Sequence, residues 1–279
     1  MPRILAYSLP ALAFAAVMAM VAVVLLNRED RTGSDAPSAA ASEATSPQAT
    51  AARPRFQAQQ TVCQGVLHLP NPGEPRVFPA IYTQHATALG IDIVAGAGVS
   101  NEAIEKAKAT ITAMFKANGL SQPLAEQGVY VIIAESGQGV LDLPEFACLE
   151  EQFGSGFFDS VCGIADRADY PVATVNEDDL LGNRSGPCRG LNILYHELGH
   201  LVQNWSIGPA DWFDLKQYYQ EAISAGTYDG MYAAKNPNEY FAEATQAYFL
   251  QTDVRVDRDW LARRDPKLFA LLEQLYGKP

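Results

Sequence analysis

Apolar residues recur at helical spacing in five segments of the chain, and these segments predict five helices. They cover residues 101–117, 189–205, 211–225, 237–250 and 266–276. The apolar stripe of the second segment consists of Leu191, Leu194, Leu198, Val202 and Trp205. Asn236 and Asp265 each stand directly before a proline, which is a favourable start for the last two helices.

Short apolar runs between these segments predict strands. The clearest are Val129–Ala134 and Pro171–Asn176, and shorter candidates are Val62–Leu69, Val77–Tyr82 and Ile91–Val94. Residues 136–170 contain many glycines and two cysteines, which indicates an irregular region. Strands therefore concentrate in the first part of the folded chain and helices in the last, a pattern typical of an α+β fold rather than of alternating βαβ units.

The N-terminus carries an uncharged run of 23 residues, Ile4–Leu26. As a helix this run would be roughly 35 Å long, enough to cross a bilayer and longer than an ordinary signal-peptide core. We predict a single-pass membrane anchor in residues 1–26; the alternative is a cleaved signal and a secreted protein. Residues 27–60, rich in Ala, Ser, Thr, Pro and Gln, predict a disordered tether. Residues 61–279 then form a folded domain outside the cytoplasm, periplasmic or extracellular.

The charge balance narrows the range of partners. The formal net charge is −12 at pH 7, from 32 Asp and Glu against 20 Lys and Arg. A nucleic-acid binder needs a basic surface for phosphate contacts, so we expect no nucleic-acid partner. A hydrophobic content of 48% is sufficient for a folded core and excludes wholesale disorder.

The chain has four cysteines, and all of them fall in the predicted outer domain. They are Cys63, Cys148, Cys162 and Cys188. A compartment outside the cytoplasm permits disulfides, so we expect two bridges, with three possible pairings. The alternative is that some of these cysteines are buried free thiols.

The segment His196-Glu197-Leu198-Gly199-His200 has the pattern H-E-x-x-H and lies on a predicted amphipathic helix. Its i, i+4 spacing puts His196 and His200 on one face, where two imidazoles can bind the same Zn²⁺. Glu197 is next to the first ligand and can take a proton from a zinc-activated water. The pattern therefore predicts zinc-dependent hydrolysis.

Zinc needs a third protein ligand, and the residues offer more than one candidate. A metzincin would have a third histidine six residues after His200, where this chain has Ser206. Glu239 and Glu243 are spaced i, i+4 on a helix that is apolar on most sides. Glu239 can act as the ligand while Glu243 accepts a hydrogen bond from the His196 imidazole and fixes its tautomer.

The run from Tyr232 to Ala244, Y-A-A-K-N-P-N-E-Y-F-A-E-A, resembles the second signature of the anthrax lethal factor catalytic domain and of the related Pro-Pro endopeptidases. These are gluzincin-type zinc metallopeptidases with a tyrosine seven residues before the ligand glutamate, as Tyr232 stands before Glu239. The resemblance covers residues 189–250. It implies a zincin-like fold, with a small mixed sheet, an active-site helix and a helical C-terminal part. It also implies Zn²⁺ ligation by His196, His200 and Glu239, with Glu197 as general base and Tyr232 stabilising the oxyanion.

A second resemblance offers a different residue as the third zinc ligand, so this assignment stays undecided. Residues 226–232, G-T-Y-D-G-M-Y, are similar to the aspzincin motif, which implies Asp229 as ligand and gives Tyr232 the same role. The chain departs from that motif at Ala233, where aspzincins have glycine, and its link from His200 to Asp229 is long.

Three functions are compatible with these patterns. The leading hypothesis is a membrane-tethered zinc endopeptidase that acts on peptide or protein substrates outside the cytoplasm. Because zincins hold substrate as an added strand, Val172–Asn176 is our candidate for the sheet edge that pairs with it. The alternatives are a non-catalytic zincin-fold binding module and a zinc hydrolase for another amide, for example in cell-wall peptides.

Overall fold

The computed structural model describes residues 77–149, 161–165, 171–252 and 255–279. The anchor, the tether and the strand predicted over Val62–Leu69 lie outside these ranges and stay predictions. Within the ranges described, no helix combines the length and apolar composition needed to cross a membrane.

A small mixed sheet forms the first part of the described chain. Its strands are β1 (Gln84–Ala88), β2 (Ile91–Ala95), β3 (Tyr130–Ala134) and β4 (Val172–Asn176), in that spatial order. β1 and β2 form an antiparallel hairpin, whereas β2, β3 and β4 run parallel. Parallel neighbours require crossover connections, which the intervening helices and loops supply.

Helices dominate the second part. In the described part of the chain the helices with assigned bounds are α1 (Asn101–Phe115), α2 (Ser121–Glu126), α3 (Glu177–Leu181), α4 (Leu194–Trp205), α5 (Pro209–Ser224), α6 (Pro237–Phe249), α7 (Arg258–Arg264) and α8 (Pro266–Tyr276). Short 3₁₀ turns cover Val140–Asp142 and Tyr232–Ala234. Because all strands of the described ranges precede α4 and the helices that follow it, the α+β class is confirmed.

The sheet separates two buried clusters, because successive strand residues point to opposite faces. Ile93, Val131 and Val175 face the helices, where Leu198 of α4 and Phe241 of α6 complete the larger cluster. We call this face the helix side. On the opposite face, the loop side, the smaller cluster contains Val94, Ile132, Val172, Tyr82 and Phe146.

The five predicted helices are present; the helix over 266–276 has the predicted ends, and the other four differ at one or both ends. α4 begins at Leu194 rather than at residue 189, because Arg189 and Gly190 have positive φ angles of 57° and 82°. The strand predicted over Val77–Tyr82 is wrong: the Tyr82 N–H donates to Pro79 O in a turn. The sequence patterns did not indicate β1, α2, α3 or α7.

β4 is the outermost strand of the sheet, but its edge is not free at Thr174. The Thr174 N–H donates to Ile164 O at 3.2 Å, and the Ile164 N–H donates to Thr174 Oγ1 at 3.0 Å. Residues 161–165 therefore lie along β4. The position of Val172–Asn176 at the sheet edge is as expected, and its pairing with substrate stays a prediction.

Candidate metal centre

α4 carries the H-E-x-x-H residues on its buried face. His196 and His200 lie one helical turn apart, with their Nε2 atoms separated by 3.1 Å and their rings edge to face. Only 9% and 3% of these residues is exposed. Helical periodicity therefore brings two imidazole nitrogens to one buried point.

The loop before α4 is held by side chains that fix where the helix starts. The buried Asp179 carboxylate accepts hydrogen bonds from the backbone N–H groups of Cys188 and Gly190, both at 2.8 Å. Asn192 then accepts from the Leu194 N–H at 3.0 Å, which satisfies a donor of the first turn. These bonds set the position of α4 relative to α3 and the sheet.

α6 supplies a third side chain. Asn236 caps this helix by accepting hydrogen bonds from two backbone N–H groups of its first turn. Glu239 therefore lies in that turn, 8% exposed. Its Oε2 lies 3.2 Å from His196 Nε2 and 3.4 Å from His200 Nε2.

A glycine lets α4 and α6 approach closely. A Cβ placed at Gly199 would lie 3.2 Å from both Ala242 Cα and Thr245 Cβ, closer than ordinary van der Waals contact. A larger side chain at this crossing would push the two helices apart, since a packed interior has little free space. The close contact carries Glu239 to the two imidazoles.

The geometry of the three atoms fits a zinc ion. The nitrogens and the carboxylate oxygen form a triangle with edges of 3.1, 3.2 and 3.4 Å. Tetrahedral zinc with bonds of about 2.0–2.1 Å requires ligand separations of about 3.3–3.4 Å. Among the described residues, none donates a hydrogen bond to Glu239 Oε2, a buried oxygen that a cation would satisfy. The group of His196, His200 and Glu239 could therefore hold a metal.

The charges of this group are strongly coupled. Burial opposes protonation of His196, but the carboxylates of Glu239 and Glu243 outweigh it and raise the pKa of His196 well above its usual range. Burial likewise opposes the charge on Glu239, yet the two imidazoles hold the pKa of its carboxyl far below its usual value. Because a metal binds the imidazoles in their unprotonated form, metal binding to this group would compete with protons.

Three more predicted residues surround the triangle. Glu243 Oε1 lies 3.1 Å from His196 Nδ1. The Tyr232 hydroxyl donates to Glu239 Oε1 at 3.2 Å, and its ring lies edge to face with the His196 ring. Glu197 is buried beside His196, and its charge acts on that imidazole. The structure thus gathers the candidate residues His196, Glu197, His200, Tyr232, Glu239 and Glu243.

The alternative third ligand, Asp229, does not join this group. Asp229 is exposed in the turn after α5, and the metal-capable group of described residues contains Glu239 instead. The Asp-ligand alternative therefore has no support in this geometry. The two histidines outside the motif were not ligand candidates: His85, in β1, has its Nε2 2.8 Å from Tyr82 O, and His68 lies outside the described residues.

Residues 161–165 form a wall beside Glu197 that the sequence patterns did not indicate. A Cβ at Gly163 would collide with Thr174 O and lie 3.2 Å from Glu197 Oε1. Only a residue without a side chain fits there. The sequence signal was faint, a glycine after Cys162 in a glycine-rich stretch.

A disulfide ties this wall to the loop before α4. It joins Cys162 to Cys188, whose Cα atoms lie 5.5 Å apart. Cys148 is also disulfide-bonded, and no described cysteine is free. Disulfides are therefore confirmed, and the free-thiol alternative is wrong for these three. Asp179 lies near both sulfurs, but they are bonded to each other. Such bonds are typical of an oxidising compartment.

Comparison with known proteins adds one finding. Residues 93–275 match the family model described as anthrax toxin lethal factor, N- and C-terminal domain. The match spans well over half of the chain and includes every candidate site residue. No curated protein matches the chain.

Proposed function

The chain belongs to the family of the anthrax toxin lethal factor N- and C-terminal domain, and from this membership we propose that it is a gluzincin-type zinc endopeptidase. The observation that carries the proposal is the buried triangle of His196 Nε2, His200 Nε2 and Glu239 Oε2. Its edges match tetrahedral zinc, and its carboxylate oxygen lacks a hydrogen-bond donor among the described residues.

In this proposal His196, His200 and Glu239 hold the zinc ion. When bound, zinc supplies Lewis-acid polarisation of the scissile carbonyl and makes a water molecule more acidic. Glu243 accepts a hydrogen bond from His196 Nδ1–H, which leaves the lone pair of Nε2 directed at the metal position. The 3.1 Å contact between these two atoms supports this role.

Glu197 and Tyr232 supply the proton transfer and the oxyanion contact. The Glu197 carboxylate takes a proton from the attacking water and delivers it to the leaving amine. The Tyr232 hydroxyl donates a hydrogen bond to the oxyanion that develops on the carbonyl oxygen. Tyr232 is 40% exposed, so a substrate can reach it, and its hydroxyl already faces the ligand Glu239.

We further propose that the enzyme acts outside the cytoplasm on peptide or protein substrates. The Cys162–Cys188 disulfide supports an oxidising compartment. The uncharged run Ile4–Leu26 supports a membrane anchor, with residues 27–60 as tether. Cleavage after this run would instead release a secreted enzyme.

One experiment tests both the zinc ligands and the role of Glu197 as general base. Zinc content and hydrolysis of a peptide library are measured on the full-length chain. We expect one zinc per chain in the wild type and in Asp229→Ala, and none in Glu239→Ala. Glu197→Gln should keep its zinc and lose hydrolysis by about 10²- to 10⁴-fold, because only the proton acceptor is removed.

Each contrary outcome has a distinct meaning. A folded wild type without zinc contradicts the proposal and favours a non-catalytic binding module. Zinc lost from Asp229→Ala but kept by Glu239→Ala identifies the aspzincin arrangement. Full activity in Glu197→Gln shows that the base is assigned wrongly. Cleavage of cell-wall peptides alone makes the protein a hydrolase of other amides.

A further inference from the structure

Tyr232 is the least buried member of the candidate centre. It is 40% exposed, whereas His196, His200 and Glu239 are each exposed by 9% or less. A group that must meet a developing oxyanion needs a fixed orientation, and core packing fixes a half-exposed ring poorly. Another contact must therefore hold the phenol in place.

Lys235 provides such a contact. Its Nζ lies 3.5 Å from the centroid of the Tyr232 ring, well within the range of a cation–π interaction. The 3₁₀ turn creates this contact: the Lys235 N–H donates to Tyr232 O at 3.0 Å, and side chains three residues apart eclipse in 3₁₀ geometry. The ammonium thus covers one face of the ring.

Two further contacts of Tyr232 add to its support. The His196 ring lies edge to face with it, at 6.2 Å between centroids, and the hydroxyl donates to Glu239 Oε1. The Tyr232 phenol is therefore contacted in three places. Lys235 lies over one face of the ring, the His196 ring packs edge to face with it, and Glu239 accepts from its hydroxyl. Of these three, only Lys235 is not a proposed metal ligand.

The charge of Lys235 also suits the site. Partial burial lowers the pKa of Lys235, and the carboxylates of Glu239 and Glu243 oppose that shift by favouring its charged form. With Glu197, the centre contains three carboxylates, and a divalent ion would balance two of their charges. The Lys235 ammonium balances the third, which lowers the cost of burying them together.

We propose that Lys235 is a positioning residue, whose ammonium packs on the Tyr232 ring and holds the phenol hydroxyl toward the metal-binding group. This inference rests on the proposed peptidase function. Lys235 acts through Tyr232 and needs no contact with substrate.

The first test reads the position of Tyr232 without using activity. In the full-length chain labelled with ¹³C-tyrosine, the Tyr232 ring signal is the one missing from Tyr232→Phe. We expect Lys235→Met to move it toward the position of an exposed tyrosine, and Lys235→Arg to leave it nearly in place, because arginine also packs on aromatic rings. Lys267→Met is the matched control, since Lys267 lies 5.7 Å from the Tyr218 ring.

An unchanged Tyr232 signal in Lys235→Met overturns the proposal. A shift of the Tyr232 signal by the same amount in Lys267→Met also overturns it. Such a shift would mean that the loss of any surface charge moves the signal. Both results are obtained whether or not the protein cleaves peptides. They therefore separate failure of this inference from failure of the peptidase proposal.

The second test uses kinetics on the zinc-loaded wild type. We expect Lys235→Met to lower kcat by about 3- to 30-fold with unchanged KM and zinc content, and Lys235→Arg to restore most of it. In a Tyr232→Phe background, Lys235→Met should have no further effect, because the hydroxyl it positions is gone. Equal losses in both backgrounds contradict a role through Tyr232.

Discussion

Glu145 and Glu239 are both buried carboxylates, on opposite sides of the sheet, and their surroundings differ. On the loop side, Glu145 is fully buried and accepts hydrogen bonds from the hydroxyls of Tyr82 at 2.5 Å and Tyr130 at 3.0 Å. On the helix side, Glu239 Oε2 faces two imidazole nitrogens and has no hydrogen-bond donor among the described residues.

The two acids respond in opposite directions to similar burial. Burial raises the pKa of Glu145, because the tyrosine hydroxyls only partly replace water. The neighbouring imidazoles instead hold the pKa of Glu239 below its usual range. A buried acid with complete hydrogen bonds supports the fold, whereas a buried acid beside other electron-pair donors is suited to a cation.

Removal of metal should give the largest difference in stability between the Glu145 and Glu239 variants. A ligand at about 1,000 times its Kd stabilises a protein by about 4 kcal/mol, which is roughly 10 °C in Tm for a domain of this size. We expect a chelator to lower the Tm of the wild type and of Glu145→Gln by this amount. Glu239→Gln should melt at the same temperature with and without chelator. A chelator-dependent shift that survives in Glu239→Gln would remove Glu239 from the ligand set.

Loss of the Cys162–Cys188 bridge should have the next largest effect. The cysteines are 26 residues apart, and opening such a loop costs about 3.5 kcal/mol in the chain-entropy model. Because Gly163 lies against Glu197, the Cys162→Ser/Cys188→Ser variant should also lose peptide hydrolysis while it keeps zinc.

Cys148→Ser is the control for this variant, since Cys148 packs on the loop side and is also disulfide-bonded. It should lower stability without the matching loss of activity. Urea midpoints, zinc content and hydrolysis rates measured in parallel distinguish the two bridges. Equal activity losses would mean that the wall has no special role.

Glu145→Gln should have the smallest effect, and its sign depends on pH. Because the folded pKa is raised above the ordinary 4.5, the contribution of Glu145 to stability is complete below pH 4.5 and is lost as pH rises through the folded pKa. Relative to wild type, the glutamine variant should gain stability over that rise, because glutamine does not titrate. Urea midpoints from pH 4 to 8 measure this trend. A difference that does not change with pH would show that Glu145 keeps an ordinary pKa in the fold.

The residues of the helix side could be predicted because their relations are local. The i, i+4 pairs His196–His200 and Glu239–Glu243 follow from helix periodicity, and Asn236 and Asp265 cap α6 and α8 where the sequence indicated. Local spacing along two helices therefore predicts the two pairs, whereas the assignment of Glu239 to the same site as His196 and His200 rests on the family resemblance.

The wall and the loop side could not be predicted, because they depend on contacts between distant segments. Gly163 meets Thr174 and Glu197, and Glu145 meets Tyr82, through tertiary packing that no local pattern encodes. β1 was missed for a different reason. Its residues Q-H-A-T-A contain no large apolar side chain, and the first four alternate between half-buried and exposed before the buried Ala88.

Gly199 occupies a position that the H-E-x-x-H pattern leaves open to any residue. In this chain the packing closes that position, because Ala242 and Thr245 of α6 lie where a side chain would go. A relative that kept both histidines and Glu197 but carried a bulky residue here would preserve the pattern and move α6 away. The H-E-x-x-H motif thus specifies two ligands, but the placement of the third, Glu239, also depends on Gly199, a position that the motif leaves unspecified.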